Sequence, residues 1–471
     1  MRDPILDTAK YLRNIRPIDP EEVVEYVGGT HPAVIRQTLR ENALSLALFE
    51  REDGTFVPAS EEPLEPEFDT IDEIPERYLG RLEESLVERF GPDWTEGENG
   101  DTLRREIRRL KERYYRQHPV EYTNDAALGY AVYHLPDYYA TVQYVLDQLG
   151  SQNLLPSTLR VLDVGAGVGG PALGLADYTE GALVEYHAVE PSAAAVVLES
   201  LLEETPKNFH PRVHRTTAEA FEADGRYDLI LFSNVLIELS DPVAVLEKYL
   251  THLASNGALL GISPADKNTA THLREIEREV VDSEGGSEDC TIYAPTLRLW
   301  PGRRPTNRQW SFDRKPDLRV PELQRQLDES QRADTSDERD PATGEFVNTD
   351  VQYAFSILRR DDRTRLDVTA NPNRFAPLAE SEEHVTDRID CIAVKLSHSL
   401  SSRNPLFLLG DGSQSVDHYA VLTRETALNR ALREADYGDL LVFESVLVLW
   451  NEDEEAYNLV VDEETIVDRV R

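Results

Sequence analysis

The chain has 471 residues, 40% of them apolar, with 49 Lys and Arg against 88 Asp and Glu for a formal charge of −39. That length and apolar share suit two to four globular domains and exclude disorder throughout, while two cysteines, Cys290 and Cys391, exclude a disulfide framework or a four-cysteine metal site within the chain. No apolar run approaches ~18 residues, and the opening MRDPILDTAKYLRNIRP has no cationic stretch followed by an apolar one, so a cytoplasmic protein without a membrane partner is expected.

A field this negative repels nucleic acid, whose nonspecific affinity comes largely from phosphate neutralisation. With 7 Lys against 42 Arg, however, the composition resembles that of proteins from salt-loving archaea, in which acidity reports the solvent and not the ligand. At molar salt the Debye length is ~3 Å, and close contacts decide.

Residues 1–60 read as a winged-helix-like module. DPEEVVEYVGG is a helix capped by Asp19, HPAVIRQTLRENALSLALFE is a second, and a hairpin turns at Asp53-Gly54. The second helix sets Arg36, Arg40 and His31 against Glu41 and Glu50, which favours a packing module over contact with duplex DNA.

Residues 61–120 form an acidic, Pro-bearing linker and then a basic helix, TLRREIRRLKERYYRQH, with Arg104, Arg105, Arg108, Arg109, Lys111, Arg113 and Arg116. Leu103, Ile107, Leu110 and Tyr114 put one face in a core and leave a cationic stripe. Either the stripe faces RNA phosphates, with Arg104 and Arg108 as candidates, or it pairs with acids elsewhere in the chain.

From Asn124 strands and helices alternate: a helix with a Pro136 interruption, the strand LRVLDV, the helix PALGLADY, the strand VEYHAVEPS, the helix AAAVVLESLLEE, then YDLILFSNVLIEL, PVAVLEKYLTHL and GALLGIS. This order predicts an α/β, Rossmann-like core with a doubly wound parallel sheet over residues 121–362. LREIEREVVD adds a helix, CTIYAP a strand, and VQYAFSILRR a strand that completes the sheet. Residues 296–350 are an insertion. Its cationic first part carries Arg298, Arg303, Arg304, Arg308, Arg314, Lys315 and Arg319 among Trp300, Trp310 and Phe312, and a polar linker follows at 333–345. Residues 370–471 are β-rich with one helix, ETALNRALREADYG, and predict a small C-terminal β-barrel of oligonucleotide-binding type.

The chemistry concentrates at DVGAGVGG. Asp163 closes a strand, Gly165, Gly167 and Gly169 follow, and a helix begins, so the backbone can approach a ligand and offer free N–H groups. Glu190 ends the next strand, at the spacing of an acid that accepts ribose hydroxyls. A leading acid two residues before the first glycine, without the G-x-G-x-x-G spacing that clears a pyrophosphate, selects S-adenosylmethionine over a nicotinamide cofactor. Ser233 and Asn234 stand at the end of the strand YDLILFS, where they orient a substrate or close the pocket. Methyl transfer needs mainly in-line positioning, so no catalytic residue is singled out.

The run HLPDYYATVQYVLDQL into LRVLDVGAGVGG, then LREIEREV, TIYAPTLRLWPGRRPTNRQWSF and YAFSILRR, resembles the methyltransferase-like family that includes the mitochondrial small-ribosomal-subunit assembly factor. The resemblance implies S-adenosylmethionine binding and association with small-subunit rRNA, with Arg104, Arg108, Arg303, Arg304 and Arg308 as RNA-binding candidates. It also implies a cysteine-bound iron–sulfur cluster, and here the chain departs: Thr296 and Ser311 stand where relatives carry cysteine. The lobe is therefore expected to pack on Trp300, Trp310 and Phe312 in place of a cluster, with Cys290 as a small buried residue. Rival readings are a catalytically silent assembly factor, a small-molecule methyltransferase suggested by NVLIEL, and a winged-helix DNA-binding regulator.

Overall fold

The computed structural model describes residues 2–115, 121–282, 290–335 and 344–470. The side chain of Tyr114, Arg116 and residues 336–343 of the expected polar linker lie outside the described residues. The chain divides into two units, Met1–Leu231 with Pro316–Val351, and Phe232–Lys315 with Gln352–Arg471.

The first unit opens with four helices, α1 (Arg2–Leu12), α2 (Pro20–Val23), α3 (Pro32–Glu41) and α4 (Ala43–Leu46), and a hairpin of β1 (Leu48–Glu50) and β2 (Phe56–Pro58). Helix α1 has no counterpart in the sequence reading; its Ile5, Ala9 and Leu12 join Ile18, Ile35, Leu39 and Phe56 in one small core. Arg40 is turned inward, donating from Nε and Nη2 to the two oxygens of buried Glu50 at 2.7 Å each.

Three longer helices follow: α5 (Glu76–Phe90), α6 (Gly97–Tyr115) and α7 (Asn124–Gly150). Pro136 does not interrupt α7, contrary to the sequence reading. Its missing N–H would strand the carbonyl one turn back. Gln324, on the returning helix Glu322–Thr335, donates from Nε2 to Val132 O at 2.9 Å and to Tyr133 O at 3.1 Å, satisfying that gap from outside.

Next come β3 (Thr158–Val164), α8 (Gly170–Tyr178), β4 (Leu183–Val189), α9 (Ala194–Leu202), β5 (Phe209–His214) and β6 (Tyr227–Ser233). The strands are parallel and ordered β5-β4-β3-β6. This is the expected Rossmann-like α/β core, and the order reverses beside β3. In such sheets ligands bind outside the carboxyl ends of the strands at the reversal.

The second unit holds α10 (Pro242–Leu250), β7 (Leu253–Pro264), α11 (Lys267–Asp282), β8 (Thr291–Ala294), β9 (Asp313–Lys315) and β10 (Val351–Arg359), with β10 antiparallel to both β7 and β8. Its last part is the β-barrel. Strands β11 (Arg388–Lys395), β12 (Leu406–Gly410), β13 (His418–Leu422), β14 (Leu440–Asn451) and β15 (Ala456–Val461) close in the order β11-β12-β13-β15-β14-β11, and β16 (Ile466–Arg469) adds to β14. The helix expected over ETALNRALREADYG shrinks to Ala431–Glu434. Asn429 explains the loss: its Oδ1 accepts from Thr426 N, and its Nδ2 donates to Arg424 O and Asp462 O, ties that compete with a helix.

In the lobe before the barrel, Trp300 Nε1 donates to Asp411 Oδ2 at 2.7 Å, Trp310 Nε1 donates to Ala265 O at 2.8 Å, and the Trp310 and Phe312 rings lie 5.3 Å apart. Thr296 and Ser311 are buried, Ser311 sharing a 2.6 Å hydrogen bond with the Tyr437 hydroxyl. Cys290 is also buried, which pushes its thiol up to about 12.

Arg274 on α11 is fully buried and donates to Glu277 Oε2 at 2.6 Å, an oxygen that also accepts from Ser356 Oγ at 2.5 Å. Removing the cation leaves a buried carboxylate uncompensated. Arg274→Met is expected to destabilise the protein by about 3–5 kcal/mol in urea unfolding, and the double variant with Glu277→Leu to recover most of that loss.

Candidate functional site

Asp163 lies at the end of β3 and is 1% exposed. Tyr186 on β4 donates its hydroxyl to Asp163 Oδ2 at 2.6 Å, while Oδ1 is buried without a partner. Burial pushes this carboxyl up to about 7; the Tyr186 bond opposes the shift and the charge of Glu190 adds to it. The same burial raises the Tyr186 hydroxyl well above its ordinary value. No spacing in the sequence singles out Tyr186, because its pairing with Asp163 arises only when β3 and β4 lie side by side.

The loop from β3 to α8 runs through φ values of +75° at Gly165, +56° at Gly167 and +101° at Gly169, a region that favours glycine. Backbone bonds hold it there. Gly165 N and Ala166 N donate to Val189 O at 2.8 and 3.2 Å, and Gly167 N donates to Glu190 Oε2 at 2.9 Å. Glu190 Oε1 accepts from Ser192 N at 2.8 Å. A carboxylate has about four acceptor sites, so these two bonds leave others for a ligand. A Cβ at Gly167 would meet nothing within 4 Å, so the loop faces open space at that point.

Helix α7 packs tightly against the start of α8. A Cβ on Gly170 would come within 2.9 Å of Tyr138 Cβ, and one on Gly174 within 2.3 Å of Tyr139 O. This brings the HLPDYY segment beside the glycine loop. Sequence reasoning used that segment only as a resemblance and assigned none of its residues a role.

Ser233 and Asn234 belong to the second unit, both buried, with Asn234 Nδ2 3.4 Å from Ser233 Oγ. Asn234 takes φ +59°, and its N–H donates to Ile262 O at 2.8 Å.

At Arg104 the structure corrects the basic stripe. Arg104 is 3% exposed and donates to Thr95 O, Leu327 O and Ser330 Oγ, so it is a structural cation and does not face a partner. Arg108 is exposed but makes a bidentate pair with Glu345 at 2.7 Å and covers the Phe346 ring. Pairing with an acid elsewhere in the chain, one of the two alternatives, is thus observed for Arg108. In the second unit Arg303 pairs with Glu380, Arg304 pairs with Asp282, and Arg308 is exposed.

Residues 138–320 match the model of a methyltransferase domain. The domain match begins within α7, beside the glycine loop, and includes Asp163, Glu190, Ser233 and Asn234. Residues 2–52 and 379–470 match the N-terminal and C-terminal domains of a domain of unknown function, DUF8157. No curated protein matches the sequence. Among solved structures, the YcgJ protein of Bacillus subtilis is 26% identical over 23% of this chain and 45% of its own, with a TM-score of 0.20. An S-adenosylmethionine-dependent methyltransferase from Clostridium acetobutylicum is 16% identical over 33% and 57%, with a TM-score of 0.23. The plantazolicin methyltransferase BpumL, solved with S-adenosylhomocysteine (SAH), is 11% identical over 60% and 99%, with a TM-score of 0.30. The chain thus spans about half the length of the first two structures.

The raised carboxyl of Asp163 makes a pH prediction. Its folded value of about 7 lies well above the ordinary carboxylate range, so its stabilising contribution is complete below the unfolded value and is lost as pH rises through 7. Relative to Asp163→Asn, the wild type is expected to lose about 2–3 kcal/mol between pH 5 and pH 8 in denaturant unfolding.

Proposed function

We propose that this chain binds S-adenosylmethionine at the loop Asp163–Gly169 with Glu190, and transfers its methyl group to an acceptor. The observation that carries the reading is Glu190: a buried carboxylate fixed against Gly167 N–H, with acceptor capacity left over, beside a glycine whose face is open. The residues fit such a ligand. Glu190 accepts the ribose hydroxyls, and Gly167 lets the backbone run close to the nucleoside. The unpartnered Oδ1 of Asp163 suits an ammonium N–H, whose charge offsets the burial that pushes this carboxyl up. When bound, the sulfonium supplies an activated methyl carbon, and the chain's part is to hold an acceptor in line with it.

Isothermal titration tests this at native salt. S-adenosylmethionine and SAH are expected to bind one per chain. Glu190→Gln weakens both by about 10–100-fold, as expected for lost hydrogen bonds to a charged acceptor, and Gly167→Val abolishes binding by filling the open face. Absence of binding by the folded wild type contradicts the reading.

For the acceptor we propose small-ribosomal-subunit rRNA, in assembly or in modification. With Arg104 buried and Arg108 paired, support comes from the lobe of Arg303, Arg304 and Arg308, of which Arg304 and Arg308 are exposed. The triple variant Arg303→Glu, Arg304→Glu, Arg308→Glu is expected to lose co-purification with small-subunit RNA at matched salt. Unchanged association overturns docking through this lobe and leaves the cofactor reading intact.

A further inference from the structure

Beside the glycine loop, α7 carries a polar group among aromatic rings that the cofactor reading does not use. His134 stacks on Tyr138 with ring centres 5.0 Å apart and planes 7° from parallel, and Tyr138 is the residue that a Cβ on Gly170 would strike. Tyr130 lies beside both rings, 4.9 Å from His134 and 6.0 Å from Tyr138 between ring centres. The imidazole Nδ1 lies 3.3 Å from Asp137 Oδ2 and 3.3 Å from Asn348 Nδ2. Asn348 is itself fixed, its N–H on Gln324 Oε1 at 2.8 Å and its Nδ2 on Tyr133 O at 3.2 Å. The His134 side chain remains 23% exposed.

Asp137 is the unusual partner. It is 8% exposed, and its Oδ1 is buried without a hydrogen bond. Burial holds the carboxyl above its ordinary value, while His134 pulls it down. A buried and poorly satisfied carboxylate gains most from a cation at hydrogen-bond distance. In the tautomer with Nδ1–H toward Asp137, the Asn348 amide donates to Tyr133 O and to the carboxylate instead of to Nδ1; Nε2 then carries the lone pair, and protonation there gives an imidazolium that the carboxylate stabilises.

We propose that His134, backed by Asp137, takes the proton from an N–H or O–H methyl acceptor at this site. The inference rests on the cofactor reading above. The acceptor heteroatom forms a bond to the methyl carbon as the carbon–sulfur bond breaks, the sulfur leaves as a neutral thioether with that electron pair, and the acceptor's proton passes to His134 Nε2. Asp137 is a positioning residue that sets the tautomer and does not touch the acceptor.

Placement near the reacting methyl can be read without knowing the acceptor. In protein labelled with ¹³C at histidine, with His134→Gln assigning one of the 11 histidine resonances, the His134 midpoint is measured with S-adenosylmethionine and with SAH bound. The two ligands differ in the sulfonium charge. Tyr130, Tyr133, Tyr138, Asp137 and Asn348 face the ring, and Lys111, Glu345 and Asp350 act through Tyr133; all are common to both complexes. A nearby cation disfavours the imidazolium, so the midpoint is expected about one pH unit lower with S-adenosylmethionine. Asp137→Asn should lower it further in the SAH complex. Equal midpoints with both ligands bound overturn the proposal and leave cofactor binding standing. If neither ligand binds, the cofactor reading fails and this proposal with it. An unchanged midpoint in Asp137→Asn removes the dyad.

Discussion

The bond from Gly167 N–H to the Glu190 carboxylate is the constraint on which the site depends. Three positive-φ glycines in five residues carry the largest conformational freedom to lose, and such a loop keeps one shape only when its N–H groups have fixed acceptors. Val189 O and Glu190 supply them from the end of β4, so the parallel pairing of β3 with β4 shapes the loop. A hydrogen bond to a charged group contributes about 1.5–3 kcal/mol, and here it also presents the remaining acceptor capacity of Glu190 outward. Tyr186 extends the same logic inward by fixing Asp163 beneath the loop.

The charge of −39 acts through arginine. Arg108 with Glu345, Arg298 with Asp282 and Arg388 with Asp462 are bidentate or partly buried pairs. The planar guanidinium suits that geometry better than an ammonium, in keeping with 42 Arg and 7 Lys. Partly buried pairs are also screened less than exposed ones at high salt. Much of the local cationic character along α6 is therefore consumed inside the first unit, where it ties the segment around Glu345 and Phe346 to the helix.

Periodic features were legible in the sequence. Alternating strands and helices gave the Rossmann-like core, the glycine spacing gave the loop, and the β-rich character of residues 370–471 gave the barrel. What failed depended on side-chain bonds between distant residues. Pro136 reads as a helix breaker until Gln324 caps the freed carbonyl, and Asn429 reads as helical until Asp462 engages its amide. Arg104 looked like part of a surface stripe because helical periodicity ranks faces by apolar residues and overlooks a cation whose donors are satisfied inside. His134 and Asp137 lie three residues apart on one helix turn, but only the packing of α7 on Gly170 brings them beside the loop.

The central claim is that the glycine loop and Glu190 form a nucleoside cradle. A crystal structure of the protein grown with SAH in molar salt tests it most directly. The account predicts ribose hydroxyls within hydrogen-bond distance of the Glu190 carboxylate, with Gly167 still donating to that carboxylate and the ligand passing over its open face. Ligand density away from β3 and β4, or a Glu190 bonded only to Gly167 and Ser192 in a loaded protein, would contradict it.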